Sequence, residues 1–467
     1  MGESTNYQDI SFRDRLSTVD AEGNRKWVFP KKPQGKLYNY RRLVAYLLLA
    51  FFYAAPHITL NGEPLLFFNF LERKFIVFGN TFYPQDFHLL VFAFIASIVF
   101  IIFFTVVYGR IFCGWVCPQT VFMEFLYRPI EYLIDGDRRQ QIRLAQQDWN
   151  GTKIFKRVVK HTLFFAISFY TMMTFLAYII GFGQVKTFIA GWPFENFSGF
   201  LFFFVFTFLH YGVFSWFREQ VCTLVCPYGR LQGVMLDSNS IVVAYDYKRG
   251  EPRDKSRRDK SGDCINCFSC VDVCPTGIDI RDGTQLECIN CTACIDACNR
   301  VMTVVNKPLG LIRYASETSI AENKKTKFNT RAAAYSFVLV VLMVLIGYFL
   351  VARGEIETTI IRTQGAMFNE YGPDSYSNMY NLQMINKTSS PVEAELKLIS
   401  HEGEIMIMGD ALAAEKGEVA KRNLLVVLNK KYINSSNTKI EIGVYSHGEL
   451  LETIKSTFVG PNALDKN

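Results

Sequence analysis

Five apolar runs constrain this chain more than any other feature of its sequence. Each run is close to the roughly 20 residues that a helix needs to cross a hydrocarbon core of ~30 Å. The sequence therefore predicts five transmembrane helices, at residues 43–60, 89–109, 162–183, 197–217 and 332–352. The first 40 residues are polar and charged, so no cleavable signal peptide is expected and the first helix would remain as an anchor.

The distribution of Lys and Arg predicts how these helices are oriented. Basic residues are frequent before the first run and between residues 138 and 160, whereas the loop after the third run contains only Lys186. By the positive-inside rule, the N-terminus and residues 218–331 face the cytoplasm, and the tail from residue 354 lies outside. We therefore expect a multi-pass membrane protein with its N-terminus in the cytoplasm and its C-terminal domain outside.

The positions of the cysteines favour metal or redox chemistry over a disulfide framework. All twelve cysteines lie between residues 113 and 298, on the predicted cytoplasmic side. Disulfides persist in oxidising compartments, and the cytosol keeps thiols reduced. Clustered cysteines in such a setting indicate metal binding or redox activity.

The net charge of +7 reflects topology more than a polyanionic partner. No fold signature for nucleic-acid binding is present, so no nucleic-acid partner is expected. The basic run at residues 248–260 is adjacent to the membrane, where it would contact anionic lipid head groups or, as we favour, form a solvated linker.

Eight cysteines form two copies of the spacing C-x2-C-x2-C-x3-C. In this pattern three thiolates of one copy hold three corners of a cubane, and the fourth cysteine ligates the other cluster. The predicted ligand sets are Cys264, Cys267, Cys270 and Cys298 for the first cluster, and Cys288, Cys291, Cys294 and Cys274 for the second. Structural zinc sites commonly use two separated cysteine pairs, so two [4Fe-4S] clusters are favoured over zinc.

The other four cysteines form two Cys-x-x-x-Cys-Pro motifs. Cys113 and Cys117 precede Pro118 in the first thiol motif, and Cys222 and Cys226 precede Pro227 in the second. If a helix continues through each motif, its two thiols lie on one face. A duplicated helical hairpin would bring both pairs together. The four thiols would then bind Cu(I), cycle between dithiol and disulfide, or remain inert packing residues, and we favour chemistry over packing.

The C-terminal tail is predicted to be a small all-β domain. Residues 392–400, 424–432 and 438–446 are enriched in β-branched side chains and partly alternate. Met406 and Met408 also alternate within this tail. They are candidate soft copper ligands, although packing inside a strand is the favoured interpretation.

These features together resemble the CcoG family of cytochrome c oxidase accessory proteins, also called FixG or RdxA. The resemblance is carried by both thiol motifs, by the segment CPTGIDIRDGTQLECINCTACIDAC and by the β-rich tail, and it is most specific at residues 110–300. It implies a multi-domain membrane protein. A five-helix transmembrane bundle would carry an inserted α+β ferredoxin-like domain with two [4Fe-4S] clusters and a C-terminal immunoglobulin-like sandwich.

The expected domain boundaries follow from the motifs and from this resemblance. They are a cytoplasmic segment at 1–42, four transmembrane helices with both thiol motifs at 43–236, a ferredoxin-like domain with basic linkers at 237–331, a fifth transmembrane helix at 332–352 and a periplasmic immunoglobulin-like domain at 353–467.

The resemblance also implies a function in assembling the cbb-type haem-copper oxidase. A cupric reductase would reduce Cu(II) to Cu(I), with Cys113, Cys117, Cys222 and Cys226 as its catalytic and copper-binding thiols. Its expected partners are membrane lipid, a cytoplasmic electron donor, and a copper transporter or oxidase assembly factors; a homodimer is left open. The alternatives are a NapH-like quinol dehydrogenase subunit that feeds an exported reductase, and a non-enzymatic assembly factor.

Overall fold

The computed structural model describes residues 17–461, except 21, 61, 71–72, 192–195, 255–261, 324–329, 353, 355, 364–366, 389 and 434. Residues 255–260 of the basic run at 248–260 thus lie outside the described residues. Contacts divide the chain into two compact units. The first comprises the residues up to Ile58 and His88–Ile346, and the second comprises Thr59–Phe87 and the residues from Gly347 onward.

Four helices in the described part of the chain are long and apolar enough to cross a membrane. They are Phe87–Tyr108, Gly151–Ile180, Phe197–Phe217 and Ala332–Val351. Their composition identifies a membrane protein, because helices that are apolar on most faces are stable in lipid, where every backbone polar group must be satisfied within the segment. Which end of each helix faces the cytoplasm stays a prediction.

The five-helix bundle expected from the sequence is not confirmed. The first apolar run forms a helix at Lys36–Ala54, which begins seven residues earlier than predicted and includes Lys36, Arg41 and Arg42. It ends where Pro56 enters a 3₁₀ turn at Ala55–His57. Proline lacks the N–H that would continue the helix. Because the helix begins and ends earlier than predicted, three of its 19 residues are charged.

Shorter helices connect these elements in the first unit. The other α-helices of the described residues are Ile111–Trp115, Pro118–Phe122, Arg128–Ile134, Arg138–Gln146, Phe182–Ala190, Pro227–Met235, Tyr247–Gly250, Ser269–Asp272, Ala293–Val304 and Glu317–Glu322. Five-residue π-helical turns lie at Met123–Tyr127, Val213–Phe217 and Val221–Val225. Further 3₁₀ turns are Pro84–Asp86, Ile280–Asp282 and Lys430–Tyr432.

The strands of the described residues are numbered here in chain order. They are β1 Thr59–Leu60, β2 Glu63–Pro64, β3 Leu66–Asn69, β4 Lys74–Val77, β5 Asn80–Phe82, β6 Val242–Tyr245, β7 Ile312–Ala315, β8 Ile356–Arg362, β9 Asn369–Glu370, β10 Ser375–Asn386, β11 Val392–Leu398, β12 Gly403–Met408, β13 Leu412–Ala414, β14 Val419–Asn429, β15 Asn437–Ser446 and β16 Glu449–Val459.

The ferredoxin segment is a small α+β module, as the sequence predicts. Strands β6 and β7 pair antiparallel and bracket the two cysteine runs, with Val242 opposite Ala315. Its core combines apolar side chains with cluster-motif cysteines: Val243, Tyr245, Cys264, Cys270, Ile280, Ile295, Cys298, Met302, Leu311 and Ile312. The cysteines are thus part of the core that folds this module.

The tail forms two antiparallel sheets around one core. One sheet has the order β12-β14-β10-β8, with β9 also paired to β10, and the other has the order β13-β11-β15-β16. Side chains such as Tyr380, Leu424, Ile442 and Phe458 fill the space between the sheets. The three strands predicted from alternation are present as β11, β14 and β15.

Residues 59–87 belong to the same unit as the tail, although the sequence assigns them to a loop within the membrane region. They form the sheet β3-β4-β5. Lys387 is buried and pairs with Asp86 at 2.7 Å and with Glu357 at 2.7 Å. The Tyr83 hydroxyl donates to the carbonyl oxygen of Gly417. The second unit is therefore built from two segments that are far apart in the chain.

Candidate functional site

The two cysteine runs of the ferredoxin segment adopt the same unusual backbone. Asn266 and Phe268 in the first run have left-handed φ values of 50° and 57°, and Asn290 and Thr292 in the second have 53° and 66°. Non-glycine residues rarely adopt this conformation, least of all β-branched ones such as Thr292. Such strain persists only where the surrounding structure fixes it, which is common at functional sites. The near-identical sequences CINCFSC and CINCTAC thus fold as two copies of one loop.

The first ligand set predicted from the sequence meets around one cavity. This first cysteine cavity is lined by Cys264, Cys267, Cys270 and Cys298. Cys298 is the last cysteine of the second run and lies on the helix Ala293–Val304, which begins within that run. Arg281 also lines the cavity, and it is held by Asp279 at 2.5 Å and by Asn266 Oδ1 at 2.6 Å.

The second predicted set surrounds an adjoining cavity. This second cysteine cavity is lined by Cys274, Cys288, Cys291 and Cys294, and it shares Cys270 with the first. Burial raises the pKa of Cys288 to about 12 and the pKa of Cys291 to about 11. As free thiols these side chains would be protonated at neutral pH, so metal binding would have to release their protons.

The residues around both cavities fit a [4Fe-4S] cluster. Each cavity has the four cysteines that such a cluster requires. In each cavity the four thiols line a space between them, as the ligands of a cubane cluster would.

A buried charge gives independent support for a cluster in the second cavity. Arg41 is 0% exposed, and its Nη1 and Nη2 atoms have no hydrogen-bond partner among the described residues. Its positive charge acts on Cys291, whose pKa it lowers against the larger effect of burial. An uncompensated buried guanidinium is costly, and the negative charge of a thiolate-ligated cluster would offset it.

The two thiol motifs share one local geometry, which differs from the expected continuous helix. In the first motif the helix Ile111–Trp115 ends, and Cys117 then adopts φ −56° and ψ 125° as the N-cap of the next helix. Cys226 does the same in the second motif, with φ −67° and ψ 111°. The reason is the following proline, which disfavours the helical conformation in the residue before it and is itself well accommodated at the first helical position.

The structure brings the four motif thiols into one neighbourhood. Burial raises the pKa of Cys222 to about 12, and the nearby Cys117 and Cys113 shift it in the same direction. Burial also raises the pKa of Cys117, to which Cys113 and Cys226 contribute. The two pairs are therefore near enough to influence each other's pKa. Whether they bind copper stays a prediction.

One residue beside these thiols was not apparent from the sequence. Gln232 is 0% exposed, and its Nε2 atom lies 3.5 Å from Cys113 Sγ. It comes from the helix after the second motif and contacts the first. A glutamine in a short amphipathic helix carries no local signal of this contact, which depends on how the two halves pack.

The first thiol motif packs directly on the second cysteine cavity. Cys113 belongs to a buried cluster with Val273, Ile289, Cys291 and Ala293. A Cβ atom added to Gly114 would overlap the carbonyl oxygen of Ile289 and lie 3.1 Å from Cys291 Cα. Backbone therefore meets backbone at this point. Arg41 Nε also donates to the Gly114 carbonyl at 2.5 Å, which ties the contact to the buried guanidinium.

A buried ion-pair network lies next to the motifs. Arg128 pairs with Glu124 at 3.1 Å and with Glu219 at 3.7 Å, and its Nη2 atom donates to the Pro275 carbonyl at 3.0 Å. Arg218 makes two hydrogen bonds of 2.8 Å to Glu131. The network thus links the segment after the first motif, the segment before the second, and the turn after Cys274.

Glu131 illustrates how this network balances burial. Burial alone would raise the pKa of Glu131, yet Arg218 and then Lys160 outweigh it and hold the pKa below its usual value. No sequence pattern indicated these pairs, since charged residues on short helices outside the apolar runs are usually solvated.

Comparison with family models agrees with this arrangement. A model for a 4Fe-4S dicluster domain matches residues 217–317, and a model for a 4Fe-4S binding domain matches residues 90–140. A model of the IG-like fold at the C-terminal of FixG matches residues 346–461, which confirms the immunoglobulin-like tail. These matches support iron-sulfur clusters as cofactors.

Three curated proteins are similar over long stretches. Protein RdxB of Cereibacter sphaeroides is 31% identical over 408 residues, covering 82% of this chain and 84% of the relative. Protein RdxA of the same organism is 31% identical over 375 residues, covering 77% and 79%. Nitrogen fixation protein FixG of Rhizobium meliloti is 32% identical over 312 residues, covering 64% and 59%.

One solved structure, the crystal structure of a FixG-related protein from Vibrio parahaemolyticus, is 22% identical with a TM-score of 0.20. It covers 23% of this chain and 97% of its own, so family membership rests on the longer sequence matches. The matches to RdxB and RdxA, together with the C-terminal family model, show that this chain belongs to the FixG/RdxA family. It is a FixG-like iron-sulfur electron-transfer protein.

Proposed function

We propose that this protein passes single electrons from a cytoplasmic donor to copper during assembly of a cbb-type oxidase. The reaction is Cu(II) plus one electron giving Cu(I), with copper as the substrate. The four motif thiols, Cys113, Cys117, Cys222 and Cys226, would hold the ion. Its partners would be the electron donor on one side and a copper transporter or oxidase assembly factor on the other.

The observation that carries this proposal is the contact between the first thiol motif and the second cysteine cavity. Cys113 packs with Cys291, and Gly114 leaves no side chain between the two backbones. When bound, the two clusters supply one-electron carriers. An electron acceptor is best held close to such a carrier. The motif thiols lie beside the second cysteine cavity, which suits them to this role.

The opposite end of the ferredoxin segment suits a soluble donor. Cys267 is exposed, whereas the other cluster-motif cysteines are buried or half-buried. The first cysteine cavity is therefore the one that a partner protein can approach. The segment has a solvent-facing end at Cys267 and a motif-facing end at Cys291, as a directional electron-transfer protein requires.

The side chains around the thiols supply binding and orientation. Thiolates are soft ligands that favour Cu(I) over harder ions, so binding at this site stabilises the reduced product. Gln232 orients Cys113 Sγ through its amide. The ion pairs of Arg128 and Arg218 hold the two motifs in register with each other and with the turn at Pro275.

Replacing all four motif cysteines by serine tests the proposal. The ferredoxin segment has its own eight cysteines, so both clusters should assemble and give unchanged EPR signals in anaerobically purified protein. Cu(II) reduction should fall to the rate of protein-free buffer, because serine keeps the size of cysteine but removes the soft donor. Restoring one pair should recover little activity if the two motifs form one site.

Two results would contradict the proposal. Undiminished Cu(II) reduction in the serine variant, with intact clusters, would make the four cysteines packing residues. The second result would come from iron analysis. Two cubanes predict about eight iron atoms per chain. A higher iron content that drops to about eight in the serine variant would assign the motif thiols to another iron-sulfur cluster instead of copper.

A further inference from the structure

Two buried arginines lie beside the second cysteine cavity. Arg41 is 0% exposed and belongs to the helix Lys36–Ala54, and Arg110 is 4% exposed and precedes the first thiol motif. Their hydrogen bonds go to backbone carbonyls, of Gly114 for Arg41 and of Leu286 for Arg110, and to no carboxylate among the described residues. An unpaired buried charge is costly, so a compensating negative charge is expected close to both guanidinium groups.

Arg41 is connected to a cysteine of this cavity through Gly114. Its Nε atom donates to the Gly114 carbonyl at 2.5 Å, and a Cβ atom at Gly114 would lie 3.1 Å from Cys291 Cα. The ring of Phe125 lies 5.0 Å from the guanidinium carbon and shields it. The charge of Arg41 is thus held beside Cys291 in surroundings that contain little else that is polar.

Arg110 lies between the second cysteine cavity and the second thiol motif. Its Nη1 atom donates to the carbonyl of Leu286, two residues before Cys288. A Cβ atom added to Gly229 would lie 3.0 Å from Arg110 Nη2 and 2.5 Å from the Cys222 carbonyl oxygen. Burial raises the pKa of Cys288 and of Cys222, and the charge of Arg110 lowers both. One cation therefore acts on a cysteine of the cavity and on a motif thiol.

The arginines around the first cysteine cavity differ, because they are paired with carboxylates. Arg281 lines this cavity and pairs with Asp279 at 2.5 Å. Arg249, whose charge acts on Cys298, pairs with Asp263 at 2.5 Å. Each carboxylate cancels much of the field of its arginine. The second cavity therefore has unpaired positive charge beside it, and the first has ion pairs.

Burial and charge act in opposite directions at the second cavity. Reduction adds an electron to a cluster that its thiolate ligands already make negative, so burial disfavours the reduced form and a nearby cation favours it. Cys267 of the first cavity is exposed, whereas the cysteines of the second are buried or half-buried. Burial alone would make the second cluster the harder one to reduce, and electrons would stay at the first.

We propose that Arg41 and Arg110 raise the reduction potential of the second cluster above that of the first, so that an electron moves from the first cavity toward the thiol motifs. In this step the first cluster loses one electron and the second gains it, and no bond or proton is exchanged. The direction of transfer rests on the proposed function, whereas the effect on the potential follows from the buried charges alone.

The test is a potentiometric titration of the full-length protein in detergent without copper, followed through the EPR signals of the reduced clusters. The C274S variant, which lacks a cysteine of the second cavity, assigns the two signals. In the wild type the second cluster should be reduced first. In R41Q and in R110Q its potential should fall by at least about 59 mV, a tenfold change in the distribution of the electron, and the first cluster should titrate unchanged.

Three control variants make the result specific to charge. R41K and R110K keep the positive charge and should keep the second potential close to that of the wild type. R143Q removes an exposed arginine of the helix Arg138–Gln146 and should leave both potentials unchanged. An unchanged second potential in both glutamine variants, or an equal fall in the lysine variants, would overturn the proposal. Earlier reduction of the first cluster in the wild type would overturn it without any variant.

These outcomes are distinguishable from those of the proposed function. If the motif thiols do not reduce copper, Cu(II) reduction persists in the serine variant while the glutamine variants still shift the second potential. If the two arginines do not set the potential, the glutamine variants titrate like the wild type while Cu(II) reduction still depends on the motif thiols.

Discussion

The ferredoxin segment and the two thiol motifs are both built from duplicated cysteine patterns, yet their geometry has different origins. Each ferredoxin loop is shaped locally, by left-handed residues at equivalent positions such as Asn266 and Asn290. The thiol motifs share only a Cys-Pro helix start, and their four thiols meet because distant segments pack together. A short-range pattern is therefore enough for a cluster loop, whereas the thiol site depends on the whole first unit.

The largest effect is expected from C274S. Cys274 follows the first run in sequence but lines the second cysteine cavity with Cys288, Cys291 and Cys294. The variant should therefore lose the cluster of the second cavity and keep the first, seen by EPR and iron analysis as loss of about half of the iron. C113S, at the neighbouring motif, should keep both clusters. Loss of only the first cluster in C274S would refute the crossed ligation.

The next effect is expected from E131Q, which acts on the thiol motifs through the ion-pair network. Neutralising this carboxylate leaves the buried Arg218 with only Glu219, at 3.6 Å, while Lys160 keeps Asp135 at 2.5 Å, and the change should cost on the order of 3 kcal/mol in the free energy of unfolding. Cu(II) reduction should fall more than cluster content, because the network joins the motifs. D148N, at an exposed acid, is the control and should stay within about 0.5 kcal/mol.

The same variant makes a prediction about pH. The pKa of Glu131 is lowered in the folded protein, so its charge contributes stability that is present above the unfolded-state pKa of about 4.3. That stability is lost as the pH falls through the folded-state pKa. The stabilities of wild type and E131Q should therefore approach each other as the pH falls below about 4.3 and become equal below the folded-state pKa. A difference in stability that stays constant into strong acid would show that the ionised carboxylate is not the source.

A smaller effect is expected from G114A, which pushes the first thiol motif away from the ferredoxin segment at the point where they touch. A methyl group there would overlap the Ile289 carbonyl, so the backbones must move apart. The rate of Cu(II) reduction by pre-reduced protein should fall several-fold in stopped-flow measurements, with cluster content unchanged. G212A is the matched control, because a Cβ at Gly212 meets nothing within 4 Å. Equal rates in both variants would show that this contact is not part of the electron path.

The smallest effect is expected from Q232L. The change removes a hydrogen bond to Cys113 Sγ, an interaction worth about 0.5–1.5 kcal/mol. Cu(II) reduction should therefore fall by no more than roughly tenfold, with the thermal stability nearly unchanged. A complete loss of activity would mean that Gln232 contacts the metal ion itself.

Much of the fold was predictable because its determinants are local. The cysteine spacing predicted the ferredoxin loops, and the length of the apolar runs predicted the four long apolar helices. The alternation of side chains predicted three strands of the tail. The first helix was not placed correctly, since the predicted run excluded Arg41 and Arg42, which lie within the helix, and continued past the break at Pro56. The segment 59–87 joins the tail through contacts such as that of Lys387 with Asp86. No local sequence pattern predicts these contacts.

The sequence by itself determined which residue types are available and how they are spaced: eight cysteines in two ferredoxin runs, two Cys-Pro motifs, apolar helices and a β-rich tail. Only the tertiary structure decided which of them meet. Gly114 touches Ile289, Gln232 reaches Cys113, and Met406 faces outward with Met379 across Leu425. The physical reason is that spacing fixes neighbours a few residues apart, whereas convergence and strand face depend on packing and register, where a shift of one residue reverses every side chain.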